Sequence, residues 1–230
     1  MKNSSRVRLA KEVQEFGASL PPGSLVLDAG SGDAPYRLFF QHTRFLTTDL
    51  MRTDKAYAKP SFIADLSHIP LKAESLDGLL FNQVIEHVEE PTKVLGELNR
   101  VLVLDGKLFF SGPLFYEEHE TPYDYQRFTQ YGLRRLFEQN GFVIEKLDWL
   151  EGYFGTVAYQ LANMSKYLPL KGLPKCKPLF KVFLLPFLLL FKVAAAALAI
   201  VFHELELIYK YTGAGHPKNY FAILSKRGRN

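Results

Sequence analysis

The sequence predicts a doubly wound α/β domain on a seven-stranded, mostly parallel sheet, with an apolar helical insert before the last strand. Three observations predict it. Short apolar runs alternate with helical patterns, the first run ends in an acid and a glycine turn, and a long acid-free apolar stretch interrupts the alternation near the C-terminal end. Alternating strand and helix is the signature of a parallel sheet covered on both faces.

At 230 residues the chain is long enough for one domain with a substantial core. The first helix runs from Val7 to Ala18 and is stopped by Pro21-Pro22-Gly23. Ser24–Asp28 (SLVLD) is a buried strand, and Pro35–Gln41 a short helix. Arg44–Asp49, Phe62–Asp65 and Leu76–Asn82 are the second to fourth strands. Pro91–Val103 places Val94, Leu95, Leu98, Val101 and Leu102 on one helical face, with proline at its start. Asp105-Gly106 turns the chain into a fifth strand, Lys107–Ser111. Thr129 caps a helix that Gly141 ends. Phe142–Leu150 and Tyr220–Ser225 are the sixth and seventh strands.

Composition excludes several classes. The single cysteine, Cys176, rules out a disulfide framework and a cysteine-clustered metal site, and it fits the reducing cytoplasm. The N-terminus has no apolar run of the kind a secretory signal carries. The net charge of +4 is local. Gly152–His203 contains six lysines and no acid, which leaves the rest of the chain at −2. No nucleic-acid partner is expected, because no basic stripe is spread over the fold.

Ligands of such sheets bind beyond the carboxyl ends of the strands. Asp28-Ala29-Gly30-Ser31-Gly32 follows the first strand, and its glycines allow a tight turn and close backbone approach. Pro35 stands where a dinucleotide fingerprint needs its third glycine, which argues against a nicotinamide-dependent oxidoreductase. Asp28 suits a cationic ligand. Asp49, at the end of the second strand, can accept both hydroxyls of a ribose, and Asp65 can accept from an exocyclic amine. Three acids on successive strand ends beside a glycine turn point to an adenosine ligand.

With VLDAGSGDAPY, the acid of TTDL, ADLSHIPLKAESLDGLLFNQVIEHVEEP and ELNRVLVLDGKLFFSGP, the stretch Ser24–Leu150 resembles the class I S-adenosylmethionine-dependent methyltransferases, nearest their small-molecule, type 11-like branch. The resemblance implies a Rossmann-like sheet of order 3-2-1-4-5-7-6 with the last strand antiparallel. It implies S-adenosylmethionine as cofactor, with Asp28, Gly30 and Gly32 at its amino-acid end, Asp49 on its ribose, Asp65 and Leu66 at its adenine, and Gln83 on the methyl-donor side. Asp33 departs from the glycine that many members carry.

Methyl transfer from a sulfonium is mainly a positioning problem, but an oxygen or nitrogen acceptor can need a base, and histidine is the first candidate. His87 follows the fourth strand and His119 the fifth. His87 precedes a helix and is read first as a structural residue. His119 is favoured as base or acceptor ligand, within a long loop where Tyr116, Tyr123, Tyr125 and Arg127 are candidate acceptor contacts. Arg127 with Asp124 can equally be a pair that holds the loop. Glu86 and His87 alone are too few ligands for a metal, so none is assigned.

The chain reads as one methyltransferase domain, 1–230, with residues 152–211 as an insert between strands six and seven. Within it, Gly152–Tyr167 and Leu179–Tyr211 read as helices, the second bent near Pro186. Lys181, Lys192 and His203 recur every 11 residues, about three turns, which predicts a basic stripe along an apolar helix. That pattern suits an in-plane helix on an anionic membrane more than a span, although 179–202 is long enough to cross. A span would also separate the seventh strand from its sheet. The expected function is methyl transfer to a small or lipid-linked acceptor, at oxygen, on the cytoplasmic membrane surface. The alternatives are a degenerate membrane-docked binding module and, for the insert, a soluble lid or dimer face.

Overall fold

The computed structural model describes residues 3–52, 57–169 and 177–228. Its elements are α1 (Ser4–Ser19), β1 (Leu25–Ala29), a 3₁₀ helix (Arg37–Phe40), β2 (Arg44–Asp49), β3 (Phe62–Ile63), β4 (Leu76–Asn82), a second 3₁₀ helix (Ile85–His87), α2 (Pro91–Val101), β5 (Leu102–Pro113), α3 (Gln130–Gln139), β6 (Phe142–Trp149), α4 (Tyr153–Tyr167), α5 (Pro178–Ile208) and β7 (Asn219–Lys226). The sheet has the order β3-β2-β1-β4-β5-β7-β6. β1 to β5 are parallel, and β7 runs antiparallel to both of its neighbours.

The chain divides into two compact units. The first, Arg8–Leu150 with Asn219–Asn230, carries the sheet. Neighbouring residues of each central strand serve opposite faces. Leu79, Phe81, Leu108 and Phe110 bury against Val94, Leu95 and Leu98 of α2 and Leu133 and Phe137 of α3. Leu80, Phe109 and Phe221 bury against Leu9, Val13 and Phe16 of α1. Double coverage explains why these strands read as unbroken apolar runs. Pro91 opens α2, and the Thr129 hydroxyl accepts from Gly132 N at the start of α3.

Two predicted strands have other limits. β3 stops at Ile63, so Asp65 lies beyond the strand rather than on its last residue. β5 begins at Leu102, directly after α2. The predicted Asp105-Gly106 turn is a bulge inside it: Leu76 pairs with Leu102 but Gly78 pairs with Lys107, and Asp105 takes a φ of 60°.

The second unit comprises Met1–Val7 and Glu151–Lys218. α4 and α5 form a hairpin whose two ends meet. Tyr153 N donates to Tyr211 O at 2.8 Å, while Lys192 Nζ reaches the Lys166 carbonyl at the far end of α4. The buried Glu206 carboxylate accepts from Gly152 N at 2.8 Å and Gly155 N at 3.2 Å, taking up free amides at the start of α4.

Among the described residues the predicted basic stripe does not form. His203 is buried with its Nδ1 2.8 Å from the Ser4 hydroxyl, and Lys192 faces α4. The 11-residue spacing does put them on one face, but Ala195 and Ala199 let that face pack closely. What α5 exposes is apolar: Val182, Phe183, Phe187, Leu190, Val193, Val201 and Ile208 among others. Helix α5 runs through Pro186. Lys171, Lys175 and the side chain of Lys181 lie outside the described residues.

Removing the carboxylate in Glu206→Ala leaves buried amides unpaired and is expected to destabilise the helical unit by about 1–3 kcal/mol. Amide exchange in the first turn of α4 should quicken. Unchanged exchange there would show that Glu206 does not cap the helix.

Candidate active site

The parallel strands end side by side at one edge, with Ala29 opposite Thr48 and Asp49 opposite Ile63. The glycine turn is locked onto β2, because Gly30 N and Ser31 N both donate to Thr48 O, at 2.9 and 3.0 Å. Gly30 has a φ of +81°, and a Cβ there would lie 2.5 Å from a Val84 methyl, so no other residue fits. Gly32 N donates to Asp49 Oδ2 at 3.0 Å, and Met51 N donates to Oδ1 at 2.9 Å. Both oxygens retain lone pairs for further donors. Asp33 accepts from Ala58 N and so ties down the chain after β2.

Asp65 is exposed and accepts from Ser67 N at 2.8 Å, which holds its carboxyl below the usual range. Leu66 beside it packs against the core. Gln83 adopts a φ of 56°, uncommon for a long side chain. Its backbone N–H donates to Ser111 O and its side-chain amide to Ser111 Oγ, and that hydroxyl donates to Asn82.

Glu86, His87 and His119 form a second group, where the segment after β4 meets the loop after β5. The His87 and His119 rings meet edge to face with centroids 4.7 Å apart. His87 Nδ1 lies 2.7 Å from the Tyr123 carbonyl, so this nitrogen carries the proton and Nε2 is left with its lone pair. Burial lowers the His87 pKa, which favours the neutral imidazole. His119 Nδ1 lies between Glu117 O at 3.2 Å and Asp124 Oδ2 at 3.3 Å. Glu86 is fully buried, neither of its carboxylate oxygens has a hydrogen-bond partner, and burial pushes it up to about 8.

The other candidates divide. The Tyr116 ring stands edge-on to His119 at 5.0 Å, and the Tyr123 carbonyl orients His87. Arg127 is a loop clamp: it bonds Asp124 through both Nη atoms, holding that carboxyl down to about 2, and reaches the carbonyls of Gln126 and Glu117. The Tyr125 hydroxyl donates to Glu89, and its backbone N–H donates to Glu86 O at 2.8 Å.

Residues 27–110 match the sequence profile of the methyltransferase domain family. Over that stretch, a little over a third of the chain, the sequence is similar to the methyltransferase domain family. No curated protein matches it significantly. Among solved structures, an S-adenosylmethionine-dependent methyltransferase from Archaeoglobus fulgidus is similar at 14% identity and a TM-score of 0.58, over 96% of this chain and 94% of that one. One from Mesorhizobium loti is similar at 14% identity and a TM-score of 0.53, over 94% and 98%. The [4+2]-cyclase SpnF is also similar, at 14% identity and a TM-score of 0.58, over 95% and 82%. Likeness at this level shows the fold; a cyclase among the neighbours makes the point that a fold alone does not fix a reaction.

The residues at this edge have the chemistry to fit S-adenosylmethionine, the cofactor that the resemblance implies. Ser31 Oγ and Thr48 Oγ1 are buried without partners beside the glycine turn. Asp28 is buried under the same turn, and burial, then the charge of Asp49, push it up to about 7, with Arg37 offsetting part of the rise. A buried acid starved of positive charge suits a sulfonium and an ammonium group. Sequence reasoning missed Tyr57, whose ring lies 3.5 Å from where a Gly32 Cβ would stand and whose hydroxyl donates to Glu120. It also missed Arg52, stacked over Tyr123 at 5.6 Å. Both follow β2 in an irregular stretch with no periodicity to flag them.

Between 3.8 and about 7 the folded, ligand-free protein holds a proton on Asp28 that the unfolded chain has released, so this residue's contribution to stability falls as pH rises through that window. A cationic ligand selects the ionised form. Cofactor affinity should therefore rise with pH by up to about tenfold per unit below the Asp28 pKa and level off above it. Calorimetric titration across this range checks it, with Asp28→Asn expected to flatten the profile. A flat wild-type profile would place the cations away from Asp28.

Proposed function

We propose that this methyltransferase transfers the methyl group to an oxygen of a small or lipid-linked acceptor, held between His87, His119, Tyr116 and Tyr123 at the cytoplasmic membrane surface. The observation that carries the acceptor site is the pair of imidazoles in edge contact, each with Nδ1 engaged by a backbone carbonyl or a carboxylate. Each keeps Nε2 available to take a hydroxyl proton. Bound S-adenosylmethionine supplies an electrophilic methyl and a neutral leaving group. Asp28, Asp49, the Gly30–Gly32 turn and Asp65 with Leu66 are assigned to hold it, with Gln83 at the end of β4 between the two groups. Tyr57 and Glu120 join the loops after β2 and β5, and that bridge supports exclusion of water from the site. Arg127 is assigned to hold the loop rather than to touch the acceptor.

The membrane assignment rests on α5. Val182–Ile208 is 27 residues long, apolar and largely exposed. That is about 40 Å of helix, more than the hydrocarbon core of a bilayer. Lys192 is the one charged residue from 182 to 203, and it is turned toward α4. β6 and β7 are paired, with Trp149 opposite Tyr220, so the chain that leaves for the hairpin returns to the same strand edge. A hairpin that enters lipid and returns satisfies that connection, whereas a single crossing does not. Attachment should depend on the apolar face more than on lysines.

Two sets of variants test these assignments. With lipid and glycan extracts as acceptors and a radiolabelled methyl donor, His87→Ala and His119→Ala should each lower transfer by roughly 10²–10⁴-fold at unchanged cofactor affinity. Full activity in both would mean that neither histidine takes the proton. Phe187→Asp with Leu190→Asp should abolish flotation with phospholipid vesicles and leave cofactor binding intact. Wild-type protein that does not float with vesicles would remove the lipid surface from the proposal.

A further inference from the structure

We infer that Glu86, His87 and His119 bind a divalent transition-metal ion of the zinc class, with an open coordination position toward the acceptor. The inference deepens the acceptor site proposed above and rests on that site taking the acceptor.

One ligand atom from each of these three residues lies within 4.8 Å of the others. Two nitrogens and one carboxylate oxygen are a ligand set that zinc and its neighbours accept, and three protein ligands leave room for a fourth. Glu86 provides a separate observation. Its carboxylate is fully buried and both oxygens lack a hydrogen-bond partner, a costly arrangement for a buried acid. The charge of Arg127 offsets part of this cost, but its Nη atoms are committed to Asp124 and to loop carbonyls and none bonds Glu86.

The histidines are oriented as metal ligands are. The Tyr123 carbonyl accepts a hydrogen bond from the Nδ1–H of His87, and Asp124 with the Glu117 carbonyl faces Nδ1 of His119. Such outer partners fix the tautomer and direct Nε2 inward. Asp124 is itself held by Arg127 and by the backbone N–H of His119, so this outer layer is anchored before any ion arrives. Glu120 is a further carboxylate within reach, 3.8 Å from His87 Nε2. Ligands bound at about 2.0–2.1 Å stand about 3.4 Å apart, so the three side chains must close inward by about 1 Å on binding.

The chemistry follows from the charge. An ion at this point acidifies an acceptor hydroxyl lying on it. The hydroxyl proton passes to Glu120, the oxygen forms its bond to the methyl carbon, and the carbon–sulfur pair returns to sulfur as a neutral thioether. With the ion bound, the histidines hold it and Glu120 takes the proton, so the inference keeps the acceptor site proposed above and replaces only its base.

The test is zinc chloride titrated calorimetrically into full-length protein stripped with chelator, with Co²⁺ absorption as a second readout of ligand geometry. One equivalent should bind to wild type, and Glu86→Gln and His119→Ala should each weaken binding by at least tenfold while cofactor affinity holds. Glu86→Gln keeps the size of the side chain, and thermal melts report whether each variant is folded. Absence of stoichiometric binding, or equal binding in Glu86→Gln, overturns the inference. If stripped enzyme transfers methyl at the full rate while the histidine variants do not, the proposed function stands and the metal site falls. If zinc binds as described but no acceptor is methylated, the metal site stands and the acceptor assignment falls.

Discussion

The left-handed turn at Gly30 is the constraint on which the site depends. A Cβ at this position would lie 2.5 Å from Val84, so the cofactor turn and the segment after β4 pack as one body. Val84 follows Gln83 and precedes Glu86 and His87. The residues assigned to the cofactor and those assigned to the acceptor are therefore joined through a single close contact, supported by the two amides that Thr48 O holds. A few tenths of an ångström lost there would be felt at both groups, because interiors are close-packed.

Two buried acids set the electrostatics. Asp28 and Glu86 are both taken from water, and burial pushes both well above the carboxylate range although Arg37 and Arg127 offset part of the rise. In a finished structural core such groups would be paired or replaced. They stand instead at the carboxyl ends of β1 and β4, where this fold opens to ligands. Asp124 is the contrast: buried in side chain but paired with Arg127, it stays ionised and holds the loop after β5 in place.

Much of this was legible in the sequence. The apolar runs gave the strands because central strands are buried on both faces, and Thr129 marked the start of α3 because its hydroxyl does cap that helix. Asp105-Gly106 was read as a turn and is a bulge, since the same left-handed residue serves either purpose. The spacing of Lys192 and His203 put them on one face but carried no information on what that face would meet; Lys192 meets α4 and His203 meets Ser4, and the hydrophobic residues of the helix are left exposed. The approach of His119 to His87 was not legible either. It depends on two loops from different strands converging, and no local pattern encodes that. Asp65 shows the limit from the other side: an acid near a strand end, it bonds its own Ser67 and lies in solvent.

The central claim is that the carboxyl ends of the first strands hold S-adenosylmethionine, with Asp49 on its ribose. The most direct measurement is calorimetric titration of the cofactor into wild type and Asp49→Ala, with NAD as competitor. Loss of the charge-assisted ribose bonds should weaken binding at least about tenfold, and NAD should not compete. Equal affinity in the two proteins, or preference for NAD, would contradict the account.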